Sequence, residues 1–597
     1  MANVFSMAGI KNRPSRNGFD LSRKNLFTAK VGEYLPVCAI ECLPGDVHTI
    51  KSKWMSRTQP LNTAAYTRIK EYYDWYFVPY NLLWNKFNDF VTNMVGNNLK
   101  ASGISDNQNL TDQHPYATTH QIWNYVYTQA QAERKNFFGY SRAELTVKLL
   151  EYLGYGDYSE ALTTQTPPVT FTNRVVNLWN LLAYQKIYQD HLRNSQWEKA
   201  YAPACNINYM TGYNGDLNIP IQDIDYEVSN MFDLRYADWN KDYFMGVLPN
   251  SQFGDVASVI IDSNTKESDN FYINYTNAPN GVLAEFKTSS GIPGTSIIGP
   301  QNMAGQSANK LAAQQAKVLF DSFGANFNIL ALRQAEAVQK MREVMQSHEQ
   351  DYKAQVEARW NVNVNDALSD RCKWLGGDSS NLDISEVVNT NLQEDTSGLP
   401  STTKYDANIK GKGVGVGDGF VKCNTELYGV LMCVYHAVPV LDFAIDGIKK
   451  ANSKTLFTDY AQPELDKTGM VSVPLQELTS QFVPELNGLL GYAPQYYEYK
   501  AAYDECHGGF NSSTAPLSLK SWVAPIGKEY IQAYLDNISA VGFNTLLTYY
   551  FFKVPPAILD DIMAVKVDST VSTDQLLVNS YFDIKSVRNL DYNGLPY

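Results

Sequence analysis

Two periodicities alternate along this chain of 597 residues. Near its start, short apolar runs are broken by turn formers. VGEYLPVCAIECLPGD (31–46) is interrupted at Pro36, Pro44 and Gly45, and HTIKSKWMSR (48–57) alternates loosely toward a period of two. Both patterns predict short strands joined by turns. The aromatic run YYDWYFVPYNLLWNKFNDF (72–90) reads as a buried strand that breaks at Pro79 and passes into a helix. Helical spacing follows from Arg142 to Leu153. It returns from Val175 to Glu198, where Leu178, Leu181, Leu182, Tyr188 and Leu192 can share one face. A third helix is predicted from Asn326, with Leu330, Ala337, Val338, Met341, Val344 and Met345 at helical intervals. Beyond Gly376 the chain goes back to short strands, among them LYGVLMCVYHAVPV (427–440) and the terminal YFDIKSVRNLDYNGLPY (581–597).

Strands at both ends with helical and loop-rich material between them predict one β-domain, residues 1–597, interrupted by insertions. One insertion is residues 97–170, polar loops followed by helices. The other is residues 263–318. Between Ser263 and Asn309, 25 of 47 positions are Gly, Ser, Thr, Asn or Pro, too polar for a core, so this segment is expected on the surface.

Composition sharpens the picture. With 44% hydrophobic and 19% charged residues, the chain is that of a folded protein. Forty tyrosines and ten tryptophans suit a protein rich in interfaces, although sugar-binding proteins share this trait. The net charge is −13, whereas a protein that neutralises nucleic acid by itself is normally basic. A chain that encloses DNA must therefore bind it through a local patch or leave most neutralisation to another component. Residues 1–30 form a basic arm in which Lys11, Arg13, Arg16, Arg23, Lys24 and Lys30 face a single acid, Asp20. Its bland role is a solvated or subunit-bridging extension; its functional role is phosphate contact, and the two are compatible. No stretch is apolar enough to span a bilayer, because the best candidate, Leu427 to Ile445, is interrupted by His436, Pro439 and Asp442. The N-terminus lacks the apolar run of a secretory signal. Seven scattered cysteines read as reduced thiols, so synthesis in a cytoplasm is expected.

Candidate chemistry falls away on inspection. The run GKGVGVGDG (411–419) lacks the Gly-Lys-Ser/Thr ending and the following helix of a phosphate loop, and reads as a mobile loop. Cys38 with Cys42, Cys433 with His436, and Cys506 beside His507 match no zinc spacing, and buried packing is the default for such cysteines. Cys506 and His507, as neighbours in an extended segment, would point to opposite faces. His48 reads as a turn or core histidine, and His191 has no ligand partner at helical spacing. Asp223, Asp225 and Glu227 lack the order of a calcium loop. No catalytic residue, metal or cofactor is expected.

Several segments, in order, resemble the major capsid proteins of the Microviridae, especially the gokushovirus-like and related gut-phage branches. FDLSRKNLFTAKVGEYLPV (19–37), ECLPGDVHTI (41–50) and RTQPLNTAAYTRIKEYYDWYFVPYNLLW (57–84) open the series. NLWNLLAYQKIYQDHLRNSQWE (177–198), KDYFMGVLPNSQFG (241–254) and FNILALRQAEAVQKMREVM (327–345) continue it. GYAPQYYEYKAAYDECHGGF (491–510) and the closing DYNGLPY complete it. The resemblance runs from about residue 19 to 597 and diverges most in 97–170 and 263–318. It implies a mainly β protein, an eight-stranded antiparallel jelly roll (the viral coat β-barrel) with long helical and loop insertions. It further implies a non-enzymatic subunit that self-assembles, in the host bacterial cytoplasm, into a T=1 icosahedral virion shell around circular single-stranded DNA. A small basic DNA-binding protein, a minor pilot protein and a host surface receptor are the other partners it implies. The polar stretch 263–318 would project at the three-fold axes, and Lys11, Arg13, Arg16, Arg23 and Lys24 are the candidate nucleic-acid contacts. The competing expectation is a bacterial surface protein that binds or degrades carbohydrate. That would call for an export signal and, for hydrolysis, two carboxylates across a cleft.

Overall fold

A computed structural model of the chain describes residues 14–61, 68–92, 114–171, 174–209, 231–255, 271–273, 284–286, 329–388, 409–440, 442–443, 447–479, 489–511, 523–524, 531, 534, 549–560, 563, 565 and 573–593. Nine strands form its principal sheet: β1 (Asn17–Asp20), β2 (Arg23–Ala29), β3 (Leu35–Cys42), β4 (Val47–Thr58), β5 (Arg68–Pro79), β6 (Lys373–Val388), β7 (Ile409–Asn424), β8 (Gly429–Val440) and β9 (Leu576–Arg588). β1 and β2 pair with successive stretches of β9, so they fill one position as an interrupted strand. The order across the sheet is then β1/β2, β9, β4, β7, β6, β5, β8, β3, antiparallel throughout. The first position pairs with the last, β3 with β8, β4 with β7, and β5 with β6. This is one long hairpin rolled up on itself, the jelly-roll winding of eight strand positions.

The sheet curls until its two edges meet through side chains. Arg23 Nη2 donates to the Ala39 carbonyl at 2.7 Å, Asn25 Nδ2 to the Val37 carbonyl at 2.7 Å, and Arg588 Nη2 to the Glu41 carbonyl at 2.6 Å. Edge carbonyls of β3 that would otherwise invite a foreign strand are thereby satisfied. Inside the barrel, Trp54 stacks on Tyr73 with ring centroids 4.2 Å apart, and Tyr73 and Trp75 meet Tyr435 and Phe582 edge-on or tilted. These rings are nearly or wholly buried and form the centre of the core.

The glycine run 411–419 is not a loop. It lies within β7, and its glycines alternate with Lys412, Val414, Val416 and Asp418 at the strand period of two. Gly413, Gly415 and Gly417 face inward, where a Cβ would come within 2.5 Å of Leu382, 2.6 Å of Ser56 and 2.2 Å of the Trp54 indole. Large side chains from neighbouring strands occupy the space that β7 leaves open.

Two insertions interrupt the barrel, residues 80–372 between β5 and β6, and residues 441–575 between β8 and β9. In the first, α1 (Thr119–Gln131) starts with a reciprocal cap between Thr118 and Gln121, and α2 (Arg142–Tyr152) is capped by Ser141. α3 (Trp179–Ile187) is buried on nearly every side and packs on β5 and β8. The helix predicted over Val175–Glu198 is therefore shorter: it widens into a π-turn over Tyr188–Leu192 and ends where Arg193 becomes extended. A buried polar network joins the two insertions. Arg142 forks onto Asp233 at 2.8 Å, and Lys553 reaches Asp238 at 3.0 Å and the Tyr236 carbonyl at 3.2 Å. Residues 252–344 make a second compact unit, which contains an antiparallel pair, Phe271–Ile273 with Ala284–Phe286. The helix α4 (Ile329–Ser347) begins there. Most of 263–318, and residues 97–113, lie outside the described residues.

Candidate nucleic-acid interface

The two faces of the rolled sheet are treated differently. β8 is buried on both sides, with its outward His436 stacked on Tyr72 at 4.6 Å and edged by Tyr34 at 4.9 Å. Beside it, outward Tyr76 is buried and lies 5.3 Å from His191. The insertions thus cover the face formed by β3, β8 and β5. Among the described residues, the outward face of β2, β9, β4 and β7 carries no such cover. Leu26 is 79% exposed, Val416 70% and Phe420 59%.

This open face is basic. Lys24, Lys51, Lys53, Arg57, Lys422 and Lys585 stand on it against Asp20, Asp418 and Asp583. Lys585 is engaged by Asp20 at 2.5 Å and Asp583 at 3.5 Å. Lys24, Lys51, Lys53, Arg57 and Lys422 form no ion pair among the described residues, in a chain whose net charge is −13. Cross-strand register sets Lys24 opposite Tyr581 and Tyr581 opposite Lys53, so two cations flank one ring. Between Lys24, Lys53, Met55, Val416, Asp418, Asn579 and Tyr581 lies a shallow depression of about 390 Å³ with Trp54 and Gly417 in its lining.

Of the residues singled out from sequence, Lys24 stands on this face, and Arg16 is exposed just before β1. Arg23 turns to the barrel edge, where its guanidinium meets Cys38 Sγ at 2.8 Å as well as the Ala39 carbonyl. Lys11 and Arg13 lie outside the described residues. Lys51, Lys53 and Arg57 are not among those residues, although their even spacing of two and four in KSKWMSR is the signal of cations on one face of a strand.

The histidines and cysteines are occupied elsewhere. His48 Nδ1 is 2.7 Å from Ser586 Oγ, and its Nε2 lies 3.4 Å from Cys42 Sγ and 3.6 Å from Asp46. The set looks like a nucleophile, base and orienting acid. All four groups are sealed in the core, however, and burial lowers the affinity of His48 for a proton. The set binds β3, β4 and β9 together. Cys433 points into the barrel and His436 out of it, because three residues along a strand reverse the face. His191 Nε2 sits 2.7 Å from the Cys372 carbonyl. His507 is exposed beside Glu505 at 3.2 Å. Among the described residues no group of three His, Cys, Asp or Glu side chains is placed to hold a metal ion, and no helix is long and apolar enough to cross a membrane. Asp223, Asp225 and Glu227 lie outside the described residues.

Comparison with known proteins agrees with this architecture. A family model described as capsid protein (F protein) matches residues 8–131 and 149–596. Capsid protein VP1 of Bdellovibrio phage phiMH2K is 23% identical over 534 residues, which cover 87% of each chain.

Proposed function

Because the chain belongs to the capsid protein (F protein) family, we propose that copies of it tile into a T=1 icosahedral shell enclosing a circular single-stranded DNA genome. It is a structural subunit of a virion, with a jelly-roll-like coat fold. The observation that carries the finer reading is the one-sided cover of the barrel. Among the described residues, insertions cover one sheet face, while the other is open and carries cations without an ion-pair partner, on an acidic chain. Polyanion binding draws mainly on such cations, and counterion release makes it salt-dependent.

In this reading the open face looks inward at the genome, and the arm residues Lys11, Arg13, Arg16 and Lys24 extend it. Arg23 serves chiefly to hold the barrel edge. A small basic DNA-binding protein neutralises most of the genome, which an acidic coat leaves largely unpaired. A minor pilot protein and a host receptor complete the partners, and assembly takes place in the host bacterial cytoplasm. Residues 1–597 form one discontinuous capsid domain, and 263–318 project outward. Each contact between copies need only be modest, because a closed shell engages every subunit on several sides. No step of bond making or breaking is assigned to the chain.

Electron microscopy of the expressed full-length protein, with nuclease digestion of the preparation, tests the proposal. Uniform closed particles that protect single-stranded DNA are expected. A stable monomer that hydrolyses or tightly binds a glycan overturns it.

A further inference from the structure

On the open sheet face, we propose that the depression around Tyr581 is a pocket for one unpaired nucleobase, so that the subunit itself distinguishes single-stranded from duplex DNA. The inference rests on the genome-facing reading of that face and adds its mode of recognition. Tyr581 is 40% exposed, and its register partners on either side are Lys24 of β2 and Lys53 of β4. Three adjacent strands span about 10 Å, so the two ammonium groups bracket the ring on the scale of a nucleotide and its flanking phosphates. Among the described residues neither lysine has an ion-pair or hydrogen-bond partner, and Lys53 does not close to salt-bridge distance on Asp418 opposite it.

The lining supplies the remaining chemistry. Met55 and Val416, 44% and 70% exposed, give the cavity apolar walls level with Asn579, one register step from the ring, while Asp418, in register with Lys53, lines it on the far side of that lysine. Asn579, whose amide can both donate and accept, stands in the same depression and can meet a base edge. Gly417 contributes no side chain to the lining, and its backbone is close to the Trp54 indole beneath. An aromatic face with flanking cations and no fixed set of hydrogen-bond donors suits sequence-tolerant stacking on single strands. A paired base cannot enter without first leaving its stack, which costs a duplex several-fold or more in affinity.

The test is fluorescence anisotropy of the full-length protein with a labelled 20-nucleotide oligothymidylate, the same strand annealed to its complement, and a labelled dextran oligosaccharide. Wild type should prefer the single strand. Tyr581→Ala should weaken single-strand binding roughly tenfold, leaving duplex binding and the salt dependence unchanged. Tyr581→Phe, which keeps the ring, should bind as wild type does. Lys24→Ala with Lys53→Ala should instead lower the slope of log affinity against log salt by about 1.4, at about 0.7 per single-strand phosphate. Equal affinity for both DNA forms, no effect of Tyr581→Ala in a chain of unchanged melting temperature, or tighter binding of dextran than of DNA would each refute the pocket. If particles still form and protect single-stranded DNA in that case, the pocket alone fails and the coat assignment stands.

Discussion

Glu71 shows how much of the core chemistry is decided at single residues. Its carboxyl is wholly buried inside the barrel, accepting from Ser56 Oγ at 2.6 Å, the Tyr435 hydroxyl at 2.7 Å and Ser380 Oγ at 3.3 Å, with no cation paired to it among the described residues. Burial pushes its pKa up, and the three hydrogen bonds only partly oppose this. The fold therefore favours the protonated form. The stability this contributes is complete below the ordinary carboxylate range and is lost as pH rises through the raised value. Glu71→Gln fixes the neutral state. The melting temperature of the variant should fall less than that of wild type between pH 5 and pH 8, as calorimetry of the two chains would reveal. Parallel pH profiles would refute this. In the cluster of Glu33, Lys148 and Asp574, Lys148 touches both acids, at 2.7 and 2.9 Å; burial still pushes the Glu33 pKa up, whereas at Asp574 burial is outweighed by Lys148 and by the Thr28 hydrogen bond, and the pKa is lowered.

At the scale of elements, hydrophobic patterning encodes which face of each strand is covered. The apolar run 429–439, interrupted only at His436 and Pro439, became β8, buried on both sides, whereas the alternating 48–57 became β4, buried on one side and basic on the other. β7 follows the same rule in a disguised form. Its inward positions from 411 to 419 are glycines, so a scan for apolar residues finds no strand there, and the run suggests a loop until its period of two is noticed. The glycines are required by close approach and not by a turn. Gly417→Ala places a methyl against the Trp54 ring and should destabilise the chain by about 1–3 kcal/mol. Val416→Ala, next to it and 70% exposed, should change little. Denaturant melts of the two variants compare them directly, and equal midpoints would mean that β7 is not packed this way. For α3, periodicity located the helix but not its end, since the π-turn at 188–192 coincides with partners of Tyr188 and His191, Arg235 and Cys372, that lie far away in sequence.

For the whole molecule, the barrel tolerates two long insertions because each enters where one strand ends and the next begins, leaving the rolled pairing intact. Residues 252–344 form a compact unit of their own within the first insertion. Replacing 263–318 with a short Gly-Ser linker should therefore leave the cooperative unfolding of the rest unchanged while altering the surface. Differential scanning calorimetry and limited proteolysis would detect the opposite result, a chain that no longer folds, which would place this segment in the core.

Local physics made several things readable from the residues: strands at both ends, the strand-to-helix break at Pro79, the helix over 142–152, and the polarity of 263–318. Each depends on spacing and composition over a few residues. Tertiary structure decided the rest. Which strands pair, that Arg23 closes the barrel while Lys24 faces solvent, and that lysines of β2 and β4 flank one tyrosine of β9 all depend on tertiary contacts, and sequence spacing carries no record of those.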